Sequence, residues 1–302
     1  MIQEALKDFG YASAWQLVQH LPETQARALF AKFGERAWAK DGRNVQRLRA
    51  NLARATGFSL SALELDELTR QTMVNYTRYW CDVFRMPLWT PELVQTRTQA
   101  FQAEPLYQAL DSGRPIVAAL PHMGNWDLCG LWFTQQFRPI TSVAERLRPE
   151  SLYERFVDFR RSLGIEIFAH HQTPDLYQRL VEAAKSGRLV ALVADRDLSR
   201  LGVPVEFFGA RTKMPPGPAA LTVDTDALLL PVGLWYDGET VYGQPFEAIE
   251  IPNDGERYEK VAVMTQKLAQ VFEQTISAHP NCWYMLQKVW DEPVLPRGRS
   301  TQ

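Results

Sequence analysis

The sequence predicts an α/β fold: a mostly parallel central sheet flanked by helices, with an N-terminal helical, membrane-facing segment. Three observations carry this. Residues 1–90 place apolar side chains at helical spacing. From about residue 110, short unbroken apolar runs alternate with longer helical patterns, the texture of strands buried on both faces and joined by helices. Charge is unevenly spread: 13 basic and 10 acidic residues in the first hundred, 12 and 12 in the second, 8 and 13 in the rest.

Read as a helix, Leu6, Phe9, Ser13, Leu17 and Leu21 share one face, with Trp15 and Val18 on its flanks. Residues 27–54 follow, with Arg27, Lys32, Arg36, Lys40, Arg43, Arg47, Arg49 and Arg54 against only Glu35 and Asp41. A Trp-bearing amphipathic helix beside a basic one can lie in a membrane interface. A core-packed helix beside a solvated basic one gives the same pattern. Residues 48–55 and 66–84 have helical spacing, ending near Met86-Pro87. Strands are expected at 116–120, 140–144, 165–169, 189–194 and 228–235, with helices at 125–136, 151–163, 175–185 and 217–225 between them. Residues 240–242 and 247–251 read as edge strands and 257–277 as a closing helix. The expectation is one domain over 1–302, a helical region at 1–90 and an α/β core at 110–302.

Composition removes several function classes. With 46% hydrophobic and 23% charged residues and a net charge of -2, the chain is neither disordered nor a uniformly basic nucleic-acid binder. Cys81, Cys129 and Cys282 give no disulfide framework and no zinc spacing, and suit a reduced compartment. His20, His122, His170, His171 and His279 lack partners at metal-ligand spacing, so no metal is expected. The uncharged stretch 9–22, at 14 residues, is too short to span a bilayer.

An internal echo locates the chemistry. Ser112-Gly113-Arg114 precedes an apolar run that delivers Pro121-His122; Ser186-Gly187-Arg188 precedes another that delivers Asp195-Arg196-Asp197. Ligand crevices of open α/β sheets form at such strand ends. If the two strands are neighbours, His122 and Asp195 share one edge. Asp127 is a second acid near His122. Five residues along a continuous helix turn through about 500°, so His122 must precede the helix, with Gly124 making the turn, for Asp127 to reach back. An imidazole at neutral pH suits general-base work, and a carboxylate on its other nitrogen fixes the tautomer. Either acid can serve; the strand end favours Asp195.

Glu145 and Arg146 follow another strand end. In the next helix Leu152, Phe156, Phe159 and Leu163 form a buried stripe. Arg160 lies about 70–80° from its centre, where it can pair with Glu145 or hold a phosphate, and Arg161 points away.

These residues carry a resemblance. Leu120-Pro121-His122-Met123-Gly124-Asn125-Trp126-Asp127, Val143 to Tyr153, Ala194-Asp195-Arg196-Asp197-Leu198, Val205-Glu206-Phe207-Phe208-Gly209, Met214 to Ala219 and Trp283-Tyr284-Met285-Leu286-Gln287 resemble the lipid A acyltransferase family. Within it they resemble the phosphatidylinositol mannoside acyltransferases of actinobacteria. The resemblance implies transfer of a long acyl chain, palmitoyl for preference, from acyl-CoA to a sugar hydroxyl of a glycolipid. It implies a peripheral enzyme at the cytoplasmic face of the cell membrane, needing no cofactor beyond the acyl-CoA substrate. It places functional positions at His122, Asp127, Glu145, Arg160 and Asp195. The mannoside enzymes carry Glu where this chain has Asp195, one methylene shorter.

Joined to the residue reading, the resemblance gives an expected mechanism. His122 deprotonates a mannose hydroxyl, backbone N–H groups near Gly124 steady the oxyanion, and Trp126, Leu131 and Trp132 line an acyl tunnel. Arg146, Arg160, Arg196 and Arg200 are candidate cations for the phosphates of acyl-CoA and of a mannosylated phosphatidylinositol acceptor, and residues 27–54 for an anionic membrane surface. A lipid A-type or other glycolipid or lysophospholipid acceptor, a thioesterase that activates water, and a non-catalytic lipid binder are the alternatives.

Overall fold

The computed structural model describes residues 17–145, 150–170, 173–197 and 201–290, with backbone only at 151 and 152. Three helices come first: α1 (Glu23–Ala39), α2 (Arg43–Ala55) and α3 (Ala62–Arg85). α1 buries Ala26, Phe30 and Gly34, one stripe four residues apart. At Gly34 an added Cβ would lie 2.7 Å from the Met73 carbonyl oxygen, so α1 crosses α3 with the two backbones nearly in contact. α3 opens on a capping box: the Ser61 hydroxyl accepts the Glu64 N–H and the Glu64 carboxylate accepts the Ser61 N–H. It ends where Pro87 enters the short turn Met86–Leu88.

The remainder alternates. α4 (Pro91–Arg97), β1 (Thr98–Ala100) and α5 (Glu104–Asp111) lead to β2 (Ile116–Leu120), α6 (Trp126–Gln136), β3 (Ile140–Ala144), α7 (Glu150–Ser162), β4 (Ile165–Ala169), α8 (Leu176–Lys185) and β5 (Leu189–Val193). A hairpin of β6 (Val203–Phe207) and β7 (Ala210–Met214) follows, then α9 (Gly217–Thr225), β8 (Leu228–Asp237), β9 (Thr240–Pro245) and α10 (Arg257–Ala278). Seven strands form one sheet in the order β1-β9-β8-β2-β5-β3-β4. From β8 to β4 all neighbours are parallel; β9 runs antiparallel to β8, and β1 parallel to β9.

Helices cover both faces, which is why the central strands read as unbroken apolar runs. Val117 and Ala119 of β2 join the core under α2, α8, α9 and α10. Ile116 and Ala118 join the core under α3, α5, α6 and α7.

Two expected edge strands are corrected. Residues 240–242 belong to β9, which is interior because the three-residue β1 pairs along its outer side. Residues 247–251 form no strand; Ile249 makes a single bridge to Leu229. The N-terminal stripe is corrected where it is described: Val18 is buried, at 7% exposure, against Phe30 and Cys81, while Leu17 is 61% exposed. Leu6, Phe9, Ser13 and Trp15 lie outside the described residues.

Candidate active site

β2 and β5 are parallel neighbours with Leu120 opposite Val193. Two residues beyond each therefore stand His122 and Asp195, at the carboxyl end of the central strands. His122 Nδ1 lies 2.5 Å from Asp195 Oδ1, and the His122 backbone N–H donates to Oδ2 at 2.9 Å. The indole N–H of Trp283 also donates to Oδ2, at 2.8 Å. Asp195 is fully buried and His122 is part-exposed. Burial by itself would push the Asp195 carboxyl up, but the charge of His122 and these three hydrogen bonds outweigh it and hold the group below the usual carboxylate value. The in-register strands let the shorter aspartate arm span the gap.

Asp127 does different work. It sits in the first turn of α6, behind the Asn125 cap whose Oδ1 accepts the Leu128 N–H at 3.0 Å. Arg160 grips it with two hydrogen bonds, Nε to Oδ1 at 2.7 Å and Nη2 to Oδ2 at 3.1 Å. The Tyr79 hydroxyl donates to Oδ2 at 2.7 Å. Burial works against the Arg160 charge, yet the carboxylate beside it raises the guanidinium pKa. This corrects the expected Arg160–Glu145 pair: the helix α7 turns Arg160 inward to α6. The oxyanion expectation changes too, because the Gly124 N–H donates to the Cys282 carbonyl at 3.0 Å.

Below the pair lies an apolar cavity of about 480 Å³. It runs between α6 and the sheet, walled by Ala118, Ala191, Leu230, Trp126, Gly130 and Phe133. His122, Glu145, Arg160 and Arg196 also line it. Trp132 lines it as well, whereas Leu131 packs in the core beside it. Arg146 and Arg200 lie outside the described residues. Cys129 borders the cavity, and burial pushes its thiol up to about 12, so it is protonated and a poor nucleophile. Among the described residues no cluster of His, Cys, Asp or Glu could hold a metal ion.

A second polar chain reaches the site from α1. Asp82 of α3 is buried; Arg27 Nη2 lies 3.3 Å from its Oδ1, and the Tyr236 hydroxyl donates to its Oδ2 at 2.8 Å. The Asn125 side-chain amide donates in turn to the Tyr236 hydroxyl at 3.0 Å. Arg27, counted in the basic stretch, thus faces inward. Sequence reasoning missed Tyr79, Asp82, Tyr236 and Trp283 as parts of the site. Trp283 stands in a motif quoted for the resemblance, but 88 residues separate it from Asp195 and no spacing rule joins them.

Comparison with known proteins identifies the family. The family described as bacterial lipid A biosynthesis acyltransferase matches residues 1–292. A phosphatidylinositol mannoside acyltransferase of Mycolicibacterium smegmatis is 40% identical over 285 residues, covering 94% of this chain and 91% of its own. One from Mycobacterium tuberculosis is 41% identical over 292 residues, covering 94% of this chain and 88% of its own. On that extent of similarity, the chain belongs to the family of bacterial lipid A biosynthesis acyltransferases.

Proposed function

We propose that this acyltransferase moves a long fatty acyl chain from acyl-CoA to a mannose hydroxyl of a phosphatidylinositol mannoside, at the cytoplasmic face of the cell membrane, with His122 as general base. The observation that carries the reading is the hydrogen-bonded His122–Asp195 pair opening onto the apolar cavity. The names of the relatives support the acceptor.

Asp195 accepts the Nδ1 proton of His122, which leaves Nε2 as the basic nitrogen. Nε2 takes the proton from the acceptor hydroxyl as its oxygen attacks the thioester carbonyl. The buried carboxylate stabilises the imidazolium so formed. The tetrahedral intermediate then expels the CoA sulfur, which takes the proton back from Nε2. No covalent acyl-enzyme is needed. The acyl chain lies in the cavity, where each methylene buried contributes about 0.8 kcal/mol, so longer chains bind more tightly until the space is full. Arg196 and Glu145, at the lining, face the headgroups. Arg160 is engaged by Asp127 and braces α7 against α6 rather than holding a phosphate.

The test offers palmitoyl-CoA with a phosphatidylinositol mannoside and with a lipid A precursor, and reads products by mass spectrometry. An acylated mannoside is expected. An acylated lipid A precursor alone moves the acceptor to the other branch of the family. Free CoA formed at full rate without acceptor makes the enzyme a thioesterase and overturns the transfer reading.

A further inference from the structure

The segment after α10 approaches the His122 loop from behind. Met123 and Trp283 form an antiparallel bridge, the Tyr284 N–H donates to the His122 carbonyl at 2.8 Å, and the Gly124 N–H donates to the Cys282 carbonyl at 3.0 Å. Trp283 between them is fully buried, and its indole N–H meets Asp195 Oδ2 at 2.8 Å. Its ring packs against Phe207, Phe208 and Trp290, with centroids 6.2, 6.2 and 6.4 Å away. That aromatic block is itself fixed. The Trp290 indole N–H donates to the Phe207 carbonyl at 3.0 Å, and the Phe208 N–H donates to the Glu273 carboxylate of α10.

We infer that Trp283 is a positioning residue for the His122–Asp195 pair, holding the carboxylate from outside while its own backbone segment holds the His122 loop. The inference rests on the general-base reading of His122. Of the hydrogen bonds to Asp195, those from the His122 ring and the His122 backbone both come from the residue being oriented. They fix the two side chains relative to each other. The Trp283 bond ties the carboxylate to the rest of the fold and stops it turning about its Cβ–Cγ bond, which keeps Oδ1 aimed at Nδ1. A buried indole needs some acceptor; here the acceptor is a charged group one contact from the reacting nitrogen, where a hydrogen bond is strongest.

Trp283→Phe keeps most of the aromatic packing and removes the donor. In protein that remains folded by circular dichroism, kcat at saturating palmitoyl-CoA is expected to fall about tenfold or more, the loss of one hydrogen bond to a charged group, with KM for the donor little changed. In an Asp195→Asn background the same substitution is expected to change kcat by less than about twofold, because its route of action is gone. Full kcat in folded Trp283→Phe overturns the inference, as do equal losses in both backgrounds. A second measurement does not depend on that variant folding or on turnover. With 15N-labelled tryptophan, the chain's nine Trp give nine indole N–H signals, and one is expected far downfield in the wild type and shifted upfield in Asp195→Asn. An unmoved set of indole signals overturns the contact. Absence of acyl transfer by the wild type would remove the proposed function, while the indole spectrum would still decide whether Trp283 holds Asp195.

Discussion

At the scale of single residues, two buried aspartates beside one histidine divide the work. Asp195 faces His122, while Asp127 faces Arg160 and Tyr79. On the proposed mechanism, His122→Ala is expected to lower the rate by roughly 10²-fold or more while acyl-CoA still binds. Asp195→Asn is expected to lose far more in kcat than in thermal stability near neutral pH, where the ionised carboxylate makes its stabilising contribution. Asp127→Asn is expected to show the opposite balance. It leaves the part-buried Arg160 guanidinium without its ion-pair partner, read as a drop in unfolding midpoint larger than the loss of kcat per folded molecule. Steady-state kinetics and thermal melts on the three variants check the assignment, and a larger kcat loss for Asp127→Asn refutes it. The acid side has a sign as well. Because the folded Asp195 carboxyl titrates below its ordinary value of 3.8, its stabilising contribution is complete above that pH and disappears as pH falls through the depressed value.

At the scale of elements, register does what no single residue can. β2 and β5 start level and run level, so His122 and Asp195 arrive together. The turn that follows demands Gly124: its φ is +62°, and an added Cβ would lie 2.6 Å from the Leu234 Cβ and 2.7 Å from the Leu234 carbonyl oxygen. Gly124→Ala is expected to cost about 1–2 kcal/mol from the left-handed backbone alone, with the clash against β8 added, and to inactivate by displacing His122. Unchanged melting and turnover would refute that account. The same elements show what was legible beforehand. The buried strands β2 and β5 stand out because both their faces are apolar, and the echo of turn, strand and ionisable residue in 112–122 and 186–197 points to the pair. β1 was invisible because three residues, Thr98, Gln99 and Ala100, have no periodicity to read. Residues 247–251 alternate like a strand but find a partner only at Ile249. The β6–β7 hairpin hides because its turn uses Phe208, a bulky residue at φ +51°, before Gly209 at +68°, in place of the usual Asn-Gly. Tyr79 and Trp283 come to the site from distant helix and tail segments, and such contacts leave no trace in local spacing.

At the scale of the whole molecule, the charge imbalance of the sequence becomes a surface question. Arg27 turns inward to Asp82, Arg49 pairs with Asp41 and Asp66, and Arg54 lies over Trp290. Lys32, Arg36, Lys40 and Arg43 remain exposed on α1 and at the start of α2. Among the described residues no helix is long and apolar enough to cross a membrane. If the proposed membrane contact uses this end, binding to anionic vesicles should weaken with added salt and lose about 1 kcal/mol for each of these four replaced by Ala. Sedimentation with phosphatidylserine-containing vesicles measures it, and salt-independent binding speaks against the surface. Arg27→Glu should register instead as lost folding stability.

The inward turn of Arg27 also limits how the chain can be cut. Arg27, Asp82, Tyr236 and Asn125 form an unbroken polar line from α1 to the residue that caps α6 beside His122. A fragment that begins after α1 would keep every residue that touches the His122–Asp195 pair, yet would strip Asp82 of this arginine and open its buried carboxylate to solvent. The helical prefix is therefore no detachable membrane adaptor. Its inner face is built into the same polar line that reaches the cap beside the His122 loop.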